Sequence, residues 1–197
     1  MQTIPSTNEF LSYKDFLHFS DTFIETGSGQ GDGIQRALAA GFENVSSIEA
    51  YCENFMVCAK RFAGDPRVCL YYGRSVDILP GLIQSYHGPC VFFLDAHPSA
   101  ENSYGYVEAA RGEREYWQDT IIQSELNLIL GDEYRHVILI DDMHGDSRDY
   151  ACQYMEIIQG VKSGYEFRFY DENLSVTNPA YFYKDKLLAA IPRDAGT

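Results

Sequence analysis

The sequence predicts an α/β domain built on a mostly parallel sheet, with helices on both faces and an antiparallel strand pair at its C-terminal end. Three observations predict it. Apolar runs of strand length alternate with helical patterns along the chain. Two runs, Cys90–Leu94 and Val137–Ile140, are continuously apolar, as parallel strands covered on both faces are. A glycine-rich turn joins the first strand pattern to the first helical one.

The elements follow in order. A strand ending Thr22-Phe23-Ile24-Glu25 leads through that turn into a helix with Ile34, Ala37 and Leu38 on one face and Gly41 as its stop. A short strand ends at Ser47-Ile48-Glu49, and the next helix carries Phe55, Ala59 and Phe62 before Gly64. Val68–Tyr72 is a third strand, and Ser75 is placed to cap the helix holding Ile78, Leu79, Leu82 and Ile83. After the Cys90–Leu94 strand, residues 98–117 are too polar for core. The helix that follows buries Ile122, Leu126, Ile129 and Leu130 and ends at Gly131. Beyond the Val137–Ile140 strand, a helix from about Ser147 to Gln159 presents Ala151, Tyr154, Met155 and Ile158 as one stripe. Glu166–Tyr170 and Tyr181–Ile191 read as the closing strands.

A chain of 197 residues, 45% hydrophobic and 22% charged, suits one globular domain over residues 1–197 and argues against disorder. Residues 98–117 are expected to form an insertion or substrate lid, with Tyr104, Tyr106 and Trp117 as an aromatic wall or as rings packing the loop down. The net charge of −14 and pI near 4.6 leave no basic stripe, so duplex nucleic acid and acidic membranes are poor partners. No basic segment precedes an apolar run at the N-terminus, and no run is long enough for a membrane span. Five cysteines without a C-x-x-C pair read as reduced core thiols, and the expected compartment is the cytoplasm. A small-molecule partner fits best, and a homodimer is the commonest assembly for such a domain.

The turn Glu25-Thr26-Gly27-Ser28-Gly29-Gln30-Gly31-Asp32-Gly33 carries the first chemistry. A dinucleotide G-x-G-x-x-G fails in either register, because Asp32 and Ile34 stand where the last glycine is needed. A P-loop fails for want of Gly-Lys-Ser/Thr. The acidic Glu25 and Asp32 suit a cationic ligand and would repel phosphate. The pattern acidic-x-Gly-x-Gly-x-Gly, from Glu25 through Gly27, Gly29 and Gly31, resembles motif I of the Rossmann-like, class I S-adenosylmethionine-dependent methyltransferases.

That resemblance spans roughly residues 20 to 170. It implies a sheet of about seven strands and a loop, Glu25, Gly27, Ser28, Gly29 and Gly31, that wraps the methionine part of S-adenosylmethionine. Glu49, followed by Ala50, would accept hydrogen bonds from the ribose hydroxyls, a task that suits the two oxygens of a carboxylate. The turn Gly73-Arg74-Ser75 would lie near adenine, and Asp95 would count among the cofactor-binding residues.

The strand ends carry the second chemistry. Asp95-Ala96-His97 follows one central strand and Asp141-Asp142-Met143-His144 follows the other. Ligands in open α/β sheets bind beyond the carboxyl ends of the strands. Converging carboxylates are costly there without a cation, and oxygen donors favour Mg2+. The arrangement resembles the metal-dependent macrocin and novobiocin-type sugar O-methyltransferases, which implies Asp95, Asp141 and Asp142 as metal ligands. In those enzymes an aspartate two residues past the first ligand is the proposed base; here His97 holds that position and is the candidate general base. On a plainer reading of the same residues, Asp95 caps a turn, Asp141 and Asp142 cap the next helix, and His97 and His144 are loop residues.

The expected function is Mg2+-assisted O-methylation of a small hydroxylated acceptor, such as a sugar or glycosylated metabolite. Two alternatives stay open. One is a metal-independent methyltransferase of the same fold acting on a protein or other acceptor; the other is a non-catalytic module that binds S-adenosylmethionine or merely keeps the fold.

Overall fold

The computed structural model describes residues 6–97, 103–113, 118–142, 148–171 and 186–193. Its strands are β1 (Ser6–Phe10), β2 (Thr22–Thr26), β3 (Asn44–Glu49), β4 (Val68–Tyr72), β5 (Val91–Leu94), β6 (Val137–Ile140), β7 (Tyr165–Asp171) and β8 (Lys186–Pro192). They form one sheet in the order β1-β7-β8-β6-β5-β2-β3-β4. All neighbours run parallel except β8, which is antiparallel to both β6 and β7. Seven of these strands are those that periodicity and patterning predict. The eighth, β1, was not expected, because Ser-Thr-Asn-Glu-Phe has neither an apolar run nor clean alternation.

The helices are α1 (Asp32–Ala40), α2 (Cys52–Arg61), α3 (Ser75–Ser85), α4 (Tyr106–Ala110), α5 (Gln118–Leu130) and α6 (Arg148–Val161), with a 3-10 turn at Tyr13–Phe16. Successive side chains of a strand point to opposite faces, so each continuous apolar run feeds two cores at once. Phe23, Val91, Phe93, Val137 and Leu139 pack with Ile34 and Ala37 of α1 and Cys58 of α2. Their neighbours Ile24, Phe92, Leu94, Ile138 and Ile140 pack on the other face with Leu79 of α3, Leu126 of α5 and Tyr154 of α6. This three-layer packing is why β5 and β6 carry no polar residue along their length.

Three local expectations change. Arg74, not Ser75, is the N-cap residue of α3; Ser75 is its first helical residue and faces inward. The short α4 lies within the polar 98–117 segment, of which residues 98–102 and 114–117, including Trp117, are outside the described residues, as are His144 and Ser147. The five thiols are free, but only Cys58 and Cys90 are buried; Cys52, Cys69 and Cys152 are exposed. Among the described residues, no helix is long and apolar enough to cross a membrane.

The parallel register aligns the carboxyl ends of the central strands. Thr26 pairs with Ile48 on one side and Leu94 on the other, and Leu94 pairs with Ile140. The chain order reverses at β2, whose neighbours are β3 and β5, and a crevice opens at such a switch point.

Candidate cofactor and metal site

The loop from β2 to α1 is folded onto the ends of its neighbours. The Gly27 and Ser28 N–H groups both donate to the Ile48 carbonyl, at 2.9 and 3.2 Å, and the Gly31 N–H donates to the Ser28 carbonyl at 2.8 Å. Gly27 has φ +83°, and a Cβ there would stand 2.3 Å from the Asp95 carbonyl oxygen. Only glycine allows this turn and this approach between the loops after β2 and β5.

Glu25 lies beneath the loop, 1% exposed, and is not among the residues lining the cavity. Its Oε2 accepts from Ser47 Oγ at 2.5 Å, and Ser47 Oγ is 2.6 Å from Ser28 Oγ. Burial pushes the Glu25 carboxyl up to about 8, with the Ser47 hydrogen bond offsetting only part of the effect. At neutral pH it is therefore mostly protonated and props the loop from behind. Asp32 is also turned away, its Oδ1 accepting from Arg61 of α2 at 2.8 Å on the exposed surface. The cationic attraction expected of Glu25 and Asp32 is not delivered by these two side chains, because folding points one inward and the other outward.

Glu49 does face the cavity. Its Oε2 accepts from the Gly29 N–H at 2.8 Å and its Oε1 from the Tyr51 N–H at 2.7 Å. Burial raises its carboxyl above the ordinary range, and these backbone hydrogen bonds counter it. A carboxylate offers about four lone-pair sites, so acceptor capacity remains for a ligand hydroxyl. Gly27, Gly29, Ala50, Arg74, Ser75 and Asp95 line the same cavity, whose volume is about 270 Å³. Ser28 and Gly31 support the loop without lining it. Asn54 of α2 and Thr120, Ile121 and Ser124 of α5 complete the walls, as do Ser103 and Tyr104 from the polar segment. Sequence reasoning missed Thr120 and Ser124, although two hydroxyls one helical turn apart beside the Ile122–Leu126 stripe are a readable sign of a polar face.

Glu125 was missed as well. It is wholly buried on α5, and its Oε2 accepts from Thr26 Oγ1 at 3.3 Å. Burial pushes its carboxyl up to about 8, with hydrogen bonds to Ser75 and Thr26 offsetting part of the effect. An acid in an amphipathic helix reads as surface until packing places it inside.

At the other end of the cavity, one ligating atom from each of Asp95, His97 and Asp142 lies within 4.8 Å of the others. His97 Nε2 is 2.5 Å from Asp142 Oδ2 and 3.7 Å from Asp95 Oδ1. Asp142 has φ +57°, and its N–H donates to Asp141 Oδ1 at 2.7 Å. The grouped donors thus differ from the predicted set: His97 joins the cluster, while an Asp141 oxygen is engaged by the adjacent backbone. Two carboxylates and an imidazole are a donor set suited to a divalent ion.

The sheet order, its reversal at β2 and a cavity at the strand ends define a Rossmann-like α/β fold. No protein-family model matches the chain, and no curated protein matches it in sequence. Solved structures match it in shape, among them methyltransferases. The O-methyltransferase from Bacillus cereus in complex with SAH superposes with a TM-score of 0.57 at 15% identity, covering 95% of this chain and 84% of that one. Cofactor-bound Rv0187 from MTB gives 0.55 at 17% identity, with 97% and 84% covered. The methyltransferase domain of bacterial CtHen1 gives 0.55 at 11% identity, with 89% and 92% covered.

Proposed function

We propose that this protein is an S-adenosylmethionine-dependent methyltransferase that methylates a hydroxyl of a small acceptor, such as a sugar or glycosylated metabolite, with the help of Mg2+ or a related divalent ion. One observation carries the reading: a single cavity runs from Glu49 and the glycine loop to Asp95 and His97, so a cofactor seat and a cluster of metal donors share one space.

The cofactor supplies an electrophilic methyl group, and a divalent ion supplies charge that lowers the pKa of a neighbouring hydroxyl. The chain supplies binding and alignment. Glu49 accepts from two adjacent hydroxyls of the ribose. Gly27 and Gly29 put no side chain between the loop backbone and the cavity, so the methionine part can lie against them, with Glu25 and Ser28 bracing the loop from behind. Arg74 and Ser75 border the adenine end beside Thr120 and Ser124. Asp95 ties the two halves, since its N–H donates to the Thr26 carbonyl at 3.0 Å while its side chain joins the donor cluster. Ser103 and Tyr104 supply part of the acceptor wall. Methyl transfer asks mainly for proximity and alignment, and these contacts would provide them.

Calorimetry with S-adenosylhomocysteine tests the first half. Saturable binding by the wild type, lost in Glu49→Ala, is expected; no binding by the wild type sinks the reading. A methyl-transfer assay on hydroxylated acceptors, with EDTA followed by added Mg2+, tests the second. Activity indifferent to both additions would favour the metal-independent alternative.

A further inference from the structure

The sequence assigns His97 to proton removal, but its ring is poorly placed for that task. A general base needs a ring nitrogen within about 3 Å of the acceptor proton's oxygen. His97 is 9% exposed; Nε2 is held at 2.5 Å by Asp142, and Nδ1 is buried. The ring's Nε2 faces the carboxylates of Asp142 and Asp95. An octahedral ion with bonds near 2.1 Å keeps adjacent donors about 3 Å apart. The observed 2.5 and 3.7 Å separations from Nε2 to Asp142 and Asp95 bracket that spacing, so small side-chain rotations suffice to admit an ion.

We propose that His97 binds the divalent ion through Nε2 together with Asp95 and Asp142, and that this donor set selects Mn2+ over Mg2+. The proposal rests on the reading that the site works with a divalent ion, and it changes which one. Mg2+ prefers an all-oxygen shell and dehydrates reluctantly, whereas imidazole nitrogen is a good donor to first-row transition ions. Asp95 and Asp142 come from the ends of β5 and β6, and His97 from the residue after next to Asp95. The site therefore bridges two rigid strands rather than lying on one loop. Asp141 stands beside it, its Oδ1 accepting from the Asp142 N–H and so helping to fix that turn.

The test combines calorimetry and pulsed electron paramagnetic resonance on the full chain. Mn2+ is expected to bind roughly tenfold or more tightly than Mg2+. The Mn2+ spectrum of the wild type is expected to show a directly coordinated imidazole 14N. His97→Asp, an all-oxygen variant checked for folding by thermal unfolding, is expected to lose the nitrogen signal and most of the Mn2+ preference. Bound Mn2+ without 14N coupling, or an unchanged ion preference in His97→Asp, overturns the ligand assignment while leaving metal assistance intact. No binding of either ion at millimolar concentration, with S-adenosylhomocysteine still bound, overturns it too. Nitrogen-coupled Mn2+ without any S-adenosylhomocysteine binding upholds the ligand set and sinks the cofactor reading instead.

Discussion

Gly33 lacks a side chain because Glu25 occupies the place where one would go: a Cβ on Gly33 would stand 1.7 Å from Glu25 Oε1. The first turn of α1 is thereby pressed onto a buried carboxyl that cannot retreat, since its other oxygen is held by Ser47. Gly33→Ala gains helix propensity of up to about 1 kcal/mol, but overpacking costs typically 1–3 kcal/mol. A net loss of stability is expected in urea unfolding, with weakened cofactor binding as the loop shifts.

Gly27→Ala should act on the site more than on the fold. Its Cβ would meet backbone, the Asp95 carbonyl, at a φ of +83° that alanine disfavours. The loops after β2 and β5 would have to part, and these carry the cofactor and metal residues together. Calorimetry should show loss of S-adenosylhomocysteine and Mn2+ binding in the same variant; retention of both would mean that the close approach is dispensable.

Glu49→Gln should weaken S-adenosylhomocysteine binding by about 10- to 100-fold, because hydrogen bonds to a charged group contribute about 1.5–3 kcal/mol. One amide oxygen cannot accept from Gly29, Tyr51 and two ribose hydroxyls together. A titration within threefold of wild type would remove Glu49 from the cofactor site.

Glu25 and Glu125 make stability fall as pH rises. Both carboxyls are pushed up to about 8 in the fold from an ordinary value of 4.5. Between those values the folded state holds more protons than the unfolded one, so their favourable contribution is complete below about pH 4.5 and is lost as pH approaches 8. Glu125→Gln, neutral at every pH, should flatten the fall in chemical-denaturation midpoint between pH 5 and pH 8. An identical slope in the variant would show that Glu125 is ionised throughout.

His136 pulls the other way. It is 2% exposed; its Nδ1 accepts from the Cys90 N–H at 3.0 Å and its Nε2 lies 2.9 Å from Asp132 Oδ2. Burial lowers its pKa below the ordinary 6.5, so the stability it confers is full above pH 6.5 and is lost as pH falls through the folded value. His136→Ala should cost about 1–3 kcal/mol at pH 7.5 by stranding the Cys90 N–H, and the penalty should shrink at pH 5.

The sequence by itself determined the layers, the central strands and the neighbourhood of the site. Continuous apolar runs can be satisfied only between two helical layers, and charged residues that follow them sit beyond the carboxyl ends of the strands, so Glu49, Asp95, Asp141 and Asp142 were legible as a group. The polar β1 was not, because its pairing with β7 is a backbone affair that leaves no side-chain pattern. Nor were Glu125, Thr120 and Ser124 on α5, whose roles depend on which way the helix packs. Tertiary structure alone decided how individual side chains point: Glu25 inward under the loop, Asp32 outward to Arg61, and His97 into the carboxylates. A glycine pattern specifies where a backbone must bend, while the direction and charge state of a neighbouring carboxyl are set by burial and by partners that lie far away in the chain.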